Sequence, residues 1–260
     1  MPLLRATLVS LAVVLVIAPA MVVGSARGRA GGLWSRARDV ARLILSGNLK
    51  KALWAIRYRL RSDSTSTGLR RDLTIPFNGP SAKIPFEVRP LAPTDDLTAL
   101  NPGQAGISSE EMFWRLAQQR LLHSGLETCY VAIGPDGKPC FMQWLVLAPD
   151  NDRLRSTFGN LYPTLAPDEA LLEGAFTPET SRGLGIMSAA MAKIAERAKE
   201  GGARWVITFV DEGNVASVKG CLRAGFTPYV SRNESFRWFR RRISFRPVFP
   251  SASGTATSRP

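Results

Sequence analysis

One stretch constrains this chain more than any other: Glu173-Gly-Ala-Phe-Thr-Pro-Glu-Thr-Ser-Arg182-Gly-Leu-Gly185-Ile-Met-Ser188. Leu171 to Phe176 is apolar apart from Glu173, which predicts a buried strand. Ile186, Ala189, Ala190, Ile194 and Ala198 follow at helical spacing. Gly183 and Gly185 therefore fall where a helix begins. A turn of this kind points unpaired N–H groups and the positive end of a helix dipole at one place, and glycine lets an anion approach the backbone closely. The ligand expected there is a phosphate or pyrophosphate. An ordinary strand-to-helix turn has the same local pattern, so the segment needs a second feature to decide it.

The rest of the chain supplies elements in a definite order. Ile84 to Leu91 alternates as a strand. Ser108-Ser-Glu-Glu111 carries N-cap and first-turn acid signals ahead of a helix over 112–122. Thr128 to Ile133 and Pro139 to Leu147 flank Gly134-Pro-Asp-Gly137, a hairpin signal. A polar connection over 149–168 contains Phe158 and Tyr162. The strand Trp205 to Val210, the helix Asn214 to Ala224 and a hairpin of 226–231 and 236–245, turning at Asn233-Glu234, complete the series. Read as β-α-β-β-β-α-β-α-β-β, this is an α+β chain with a central mixed sheet flanked by helices.

A second element lies downstream of the opening stretch: a strand, then Asn214, Ser217 and Gly225-Phe226 near the helix end. With Arg182-x-x-Gly185-x-Met187 read as a Gln/Arg-x-x-Gly-x-Gly/Ala motif, the pair resembles the Gcn5-related N-acetyltransferase (GNAT) superfamily over residues 84–248. The resemblance implies acetyl-CoA or another acyl-CoA as cofactor. Its pyrophosphate would be cradled by the N–H groups of Gly183, Leu184, Gly185, Ile186, Met187 and Ser188 beside Arg182. Its pantetheine arm would pair with the strand edge at Ala175, Phe176 and Thr177, and Asn214 would complete the site. Met187 stands where the motif has a small residue.

Glu173 stands nine residues before Arg182, where many family members carry a glutamate facing the acceptor. Burial in an apolar strand raises a carboxyl pKa toward a useful value for a base, directly or through water. The competing reading is a salt-bridged or solvent-facing carboxylate. Seven residues after the motif asparagine, where many members place a tyrosine acid, this chain has Cys221. Cys221 is a candidate proton donor or a small core residue, and Tyr229 or water is the alternative donor. His123, the only histidine, reads as a helix C-terminal residue. The sequence assembles neither a Ser-His-Asp set nor a metal site.

The formal charge of +13 is uneven. Residues 27–71 carry +10, residues 231–260 carry +6 and Arg5 adds one, which leaves residues 72–230 at −4. A mildly acidic core argues against a nucleic-acid groove, and arginine-rich flanks suit an anionic membrane surface. Ala6 to Gly24 is an uncharged run of nineteen residues, ~28 Å long as a helix and long enough to span. A membrane anchor, a signal peptide cleaved after Ala18-Pro-Ala20, and a true start at Met21 are the three readings. Arginines after the run favour a cytosolic C-terminal side, on the inner membrane or, without the segment, in the cytoplasm. The organisation expected is an apolar segment over 1–26, basic amphipathic helices over 27–71 and a linker over 72–83, with the Ser-, Thr-, Asp-, Gly- and Pro-containing residues 61–82 also reading as linker. A transferase domain over 84–248 and a disordered tail over 249–260 follow. The function expected is acyl transfer to a primary amine, on an amino sugar or an envelope or exopolysaccharide precursor. The alternative is a non-catalytic acyl-CoA-binding or membrane-associated protein on the same fold.

Overall fold

The structure, a computed structural model, describes residues 57–248 apart from Ala105 and Glu127. The expectations for the apolar run over 6–24, for the helices before residue 57 and for the tail after residue 248 lie outside the described residues. Among the described residues, no helix is long and apolar enough to cross a membrane.

Eight strands form one sheet: β1 (Arg61–Asp72), β2 (Glu87–Pro90), β3 (Cys129–Ile133), β4 (Pro139–Leu147), β5 (Glu169–Phe176), β6 (Trp205–Asp211), β7 (Thr227–Arg237) and β8 (Arg240–Pro247). Four α-helices lie wholly within the described residues: α1 (Ser109–Leu122), α2 (Asn151–Phe158), α3 (Ile186–Arg197) and α4 (Val215–Arg223). The spatial order is β2-β3-β4-β5-β6-β1-β7-β8. All pairings are antiparallel except β5 with β6.

Residues 61–72 are therefore no linker. They form a central strand between β6 and β7, and the sheet begins at Arg61. The usual apolar alternation is missing for a packing reason. At Gly68 a Cβ would lie 2.4 Å from Val230 and 2.8 Å from Phe209, so the larger side chains come from the neighbouring strands. Ser66 is buried and receives Arg232 at 3.0 Å. Only Leu69 reads as core in the sequence, and it is fully buried.

Two further differences have local causes. The connection over 149–168 contains α2, which ends at Gly159 with φ +68. The last hairpin turns at Trp238-Phe239 rather than Asn233-Glu234, and both turn residues take positive φ, 49 and 64. Two-residue hairpins favour this twist, but a non-glycine residue pays ~1–2 kcal/mol for it. Backbone bonds from Trp238 N to Leu60 O and from Phe239 N to Arg59 O, both 2.9 Å, hold the turn.

Apolar side chains fill both faces of the sheet. Leu69, Leu145, Leu172, Val206 and Phe226 pack with Ile186, Met191 and Ile194 of α3. Val131, Trp144, Leu171, Ile207 and Phe209 pack with Leu121, Leu154 and Tyr162 on the α1–α2 side. Adjacent Leu171 and Leu172 bury on opposite faces, so β5 reads as a continuous apolar run.

From β1 the chain crosses the α3–α4 face as a strap before entering β2. Phe77 lies over Gly225, where a Cβ would meet its ring at 2.9 Å. Lys83 N donates to Leu184 O at 2.8 Å, and Lys193 sits 4.5 Å from the Phe86 ring.

Candidate active site

The site is made where β5 and β6 part. Their parallel pairing covers only Glu169–Leu171 against Trp205–Ile207. Beyond it, the Thr208 hydroxyl donates to Leu172 O at 3.0 Å, and backbone pairing stops. The cause lies in β5. Trp144 pairs with Glu173 and Met142 with Phe176, so β5 holds one extra residue there. Gly174 takes φ +65 at this bulge, with Leu121 and Trp144 pressed against the place of its missing Cβ (2.4 and 3.0 Å). A bulge bends its strand and increases the local twist, which opens the gap.

A cavity of about 820 Å³ occupies the gap. Its floor is Ala175, Phe176 and Thr177, and its wall is the turn Arg182 to Ser188. Gly183 and Gly185 both have φ +75, and no side chain caps α3. The N–H groups that open α3, at Ile186, Met187 and Ser188, lack partners within the helix and face this volume. Asn214 joins them while capping α4, its Oδ1 accepting from Ser217 N at 3.1 Å. Every residue expected from sequence to hold the cofactor thus lines one cavity. An elongated phosphate-bearing ligand fits this donor set: unsatisfied amides at one end and an unpaired strand edge at the other.

Arg182 is a brace rather than a free cation. Its Nε donates to Thr177 O at 3.1 Å, and its Nη2 reaches Glu111 at 2.5 Å. Burial works to raise the Glu111 carboxyl, but Arg182 and Arg115 outweigh it and hold the pKa below the ordinary range. The phosphate-side turn is thereby tied to α1. Met187, the departure from the motif, fits because Gly220 of α4 faces it. A Cβ on Gly220 would lie 3.1 Å from its sulfur.

Glu173 does not line this cavity. It is partly buried on the α1–α2 face, with Tyr162 hydrogen-bonded to its carboxylate. Arg232 lies 5.4 Å from the Tyr162 ring and 4.9 Å from the Phe209 ring, donates to Leu161 O, and leaves its buried Nε without a partner. Burial raises the Glu173 pKa, opposed by the Tyr162 hydrogen bond, the Arg232 charge and the Gly174 N–H. Tyr162 is itself pushed well above its usual range, first by burial and then by the Glu173 charge. Along β5 the Gly174 bulge separates Glu173 from Ala175, the first residue of the strand that lines the cavity.

Cys221 is not brought to the site. It is 1% exposed, its thiol points at the Met191 sulfur (3.8 Å), and burial pushes its pKa up to about 12. The thiol is a core group, and it does not line the cavity. Burial also raises the Tyr229 hydroxyl, which is likewise off the cavity wall. His123 caps the C-terminus of α1. Among the described residues no cluster suited to a metal occurs.

Sequence reasoning missed three contributors. Ser81 and Lys83 of the strap line the cavity, and Arg232 reaches Glu173 from β7. Glu111 reads in sequence as a first-turn acid, with nothing to mark it as the partner of Arg182.

The acetyltransferase (GNAT) family profile matches residues 98–226. That domain belongs to the GNAT family. The family's activity is acyl-CoA-dependent N-acetylation. Among solved structures, the chain is similar to a GNAT-family acetyltransferase from Colwellia psychrerythraea, at 19% identity and a TM-score of 0.43, over 71% of this chain and 60% of that one. It is also similar to a Gcn5-related N-acetyltransferase from Sphaerobacter thermophilus, at 15% identity and 0.42, over 81% and 70%. A third, at 14% identity and 0.47, is the Gcn5-related glucosamine N-acetyltransferase region of a fungal multi-domain β-N-acetylglucosaminidase, over 73% and 23%. No curated protein matches the chain in sequence.

Proposed function

We propose that this GNAT protein moves an acyl group, most simply acetyl, from coenzyme A to a primary amine on an amino sugar or an envelope or exopolysaccharide precursor. The observation that carries the reading is the uncapped start of α3, opening with Gly183 and Gly185 into the cavity between β5 and β6. When bound there, the thioester supplies an activated acyl carbon. The amides of residues 186–188 hold phosphate, and the free edge of Ala175–Thr177 aligns an extended chain by strand-like pairing.

The acceptor approaches from the other side of β5, where Glu173 takes the amine proton, directly or through one water. Its raised pKa suits a base that must also release the proton. Tyr162 fixes the carboxylate, and the Arg232 charge opposes the upward pull of burial on its pKa. Protonation of the departing sulfur falls to water, since no tyrosine, cysteine or histidine lines the cavity. A cytosolic site, on the inner membrane or free in the cytoplasm, follows from the use of acyl-CoA and from the arginines after residue 24.

Cys221 in the core keeps a second reading in view, an acyl-CoA-binding protein without turnover. Thermal stabilisation of the full chain by acetyl-CoA but not by NADH is expected, followed by thiol release with an amine panel that includes hexosamines. Absence of stabilisation at millimolar acetyl-CoA sinks both readings, and binding without thiol release on any amine selects the second.

A further inference from the structure

The β7–β8 hairpin ends in an arrangement that acyl transfer does not use. Trp238 is 79% exposed, the most exposed large apolar side chain among the described residues. It shares with Phe239 a turn in which both residues hold positive φ, a conformation that favours Asn and Gly. Strained aromatics kept at an exposed tip are a sign of function rather than of packing.

Charge surrounds the tip. Arg240, Arg242 and Arg246 lie on one exposed face of β8, and no carboxylate pairs with them among the described residues. Arg61 is exposed and stands opposite Arg237 at the end of β1, where Asp63 is the acid, bound to Arg237 at 2.8 Å. Two further observations orient this patch. The tip is bonded through its amides to the carbonyls of Leu60 and Arg59, so the N-terminal end of β1 lies beside Trp238. Ser66 is the first β1 residue with a β6 partner, Asp211, so residues 61–65 and the tip project past the end of β6. That is the sheet edge at which β5 and β6 part and the cavity opens.

We propose that the Trp238 tip and the arginines Arg61, Arg240 and Arg242 form a docking surface for an anionic lipid bilayer. Trp238 sits at headgroup depth, and the guanidinium groups bind lipid phosphates. The splay between β5 and β6 then faces the bilayer. This inference stands on the hairpin and does not require the acyl-transfer reading.

The test uses the full chain with vesicles of neutral phosphatidylcholine, alone or with one third phosphatidylglycerol, and acyl chains brominated to quench indole. Trp238 emission, taken as the difference between wild type and Trp238→Phe, is expected to be quenched on the anionic vesicles and much less on the neutral ones. Arg240→Gln with Arg242→Gln lowers the docked fraction about ten-fold or more, because each arginine near an anionic surface contributes about five-fold. Both variants retain the acetyl-CoA thermal shift of the wild type, since all three side chains are exposed. Absence of Trp238-dependent quenching, or equal quenching on both vesicles, overturns the proposal. So does Trp238-dependent binding to an oligonucleotide at physiological salt with no quenching by vesicles.

Discussion

At the scale of single residues, Glu173 illustrates how one carboxylate is kept both buried and ionisable. Burial raises its pKa, and the Tyr162 hydroxyl and the Arg232 charge pull the other way. The sign of each perturbation follows. Arg232→Met removes a charge that favours the carboxylate, so the Glu173 pKa rises. The acid limb of the rate profile then moves to higher pH. Tyr162→Phe acts in the same direction by removing a hydrogen bond to the charged form. A pH profile of kcat/KM on each variant measures this, and an acid limb that stays in place removes both residues from the site. Glu173→Gln keeps the shape and loses the base, with an expected fall in kcat of ~10²–10⁴-fold and an unchanged acetyl-CoA thermal shift. Unchanged turnover would take Glu173 out of the mechanism. The sequence exposed Glu173 because a lone acid in an apolar strand stands out. It did not expose Arg232, which acts on Glu173 from β7, with β6 and β1 between them in the sheet.

At the scale of elements, the bulge in β5 makes the cavity. Gly174→Ala demands φ +65 of a residue with a Cβ and drives that atom into Leu121. Strain and overpacking together cost roughly 2–4 kcal/mol. A fall in melting temperature of about 5 °C or more is expected, with partial recovery in Gly174→Ala/Leu121→Ala. No recovery would mean that contact with α1 is not what penalises the substitution. The strap makes a different contribution. Lys83 is exposed on the cavity wall and anchored by its own backbone to Leu184. Lys83→Ala should weaken acetyl-CoA a few-fold and leave the melting temperature alone, as expected for a solvated charge contact. Titration calorimetry showing no loss would leave the strap a purely structural role. Elements built on local signals were legible in sequence: the Gly134–Gly137 hairpin, the Ser108 cap with its 3.1 Å bond to Glu111 N, and the α3 turn. The Trp238-Phe239 turn was not. It lacks Asn and Gly and is held by carbonyls of residues 59 and 60, remote in sequence.

At the scale of the whole molecule, β1 is the part the sequence most nearly concealed. Its polar, small residues look like a linker because β6 and β7 fill the core around it. Arg71 shows how deeply it is built in: the side chain is 4% exposed, pairs with Glu196 of α3, donates to Ala192 O at 3.2 Å and lies over Phe77. The sheet that holds the site therefore includes residues 61–72, ahead of residue 84. Without β1, both β6 and β7 lose their ladder on one side, and Phe209 and Val230 lose the cover of Gly68 and Leu69. Open strand edges beside uncovered apolar side chains pair with other chains. A fragment of residues 84–248 should therefore be aggregated or lack a cooperative melting transition, whereas 57–248 melts cooperatively and gains stability from acetyl-CoA. Adding a synthetic peptide of residues 57–86 to the shorter fragment during refolding should restore the transition, since the strand and the strap together supply the missing ladder and the Lys83 wall. A cooperative, acetyl-CoA-stabilised 84–248 fragment would show that β1 is an addition to the domain rather than part of its core.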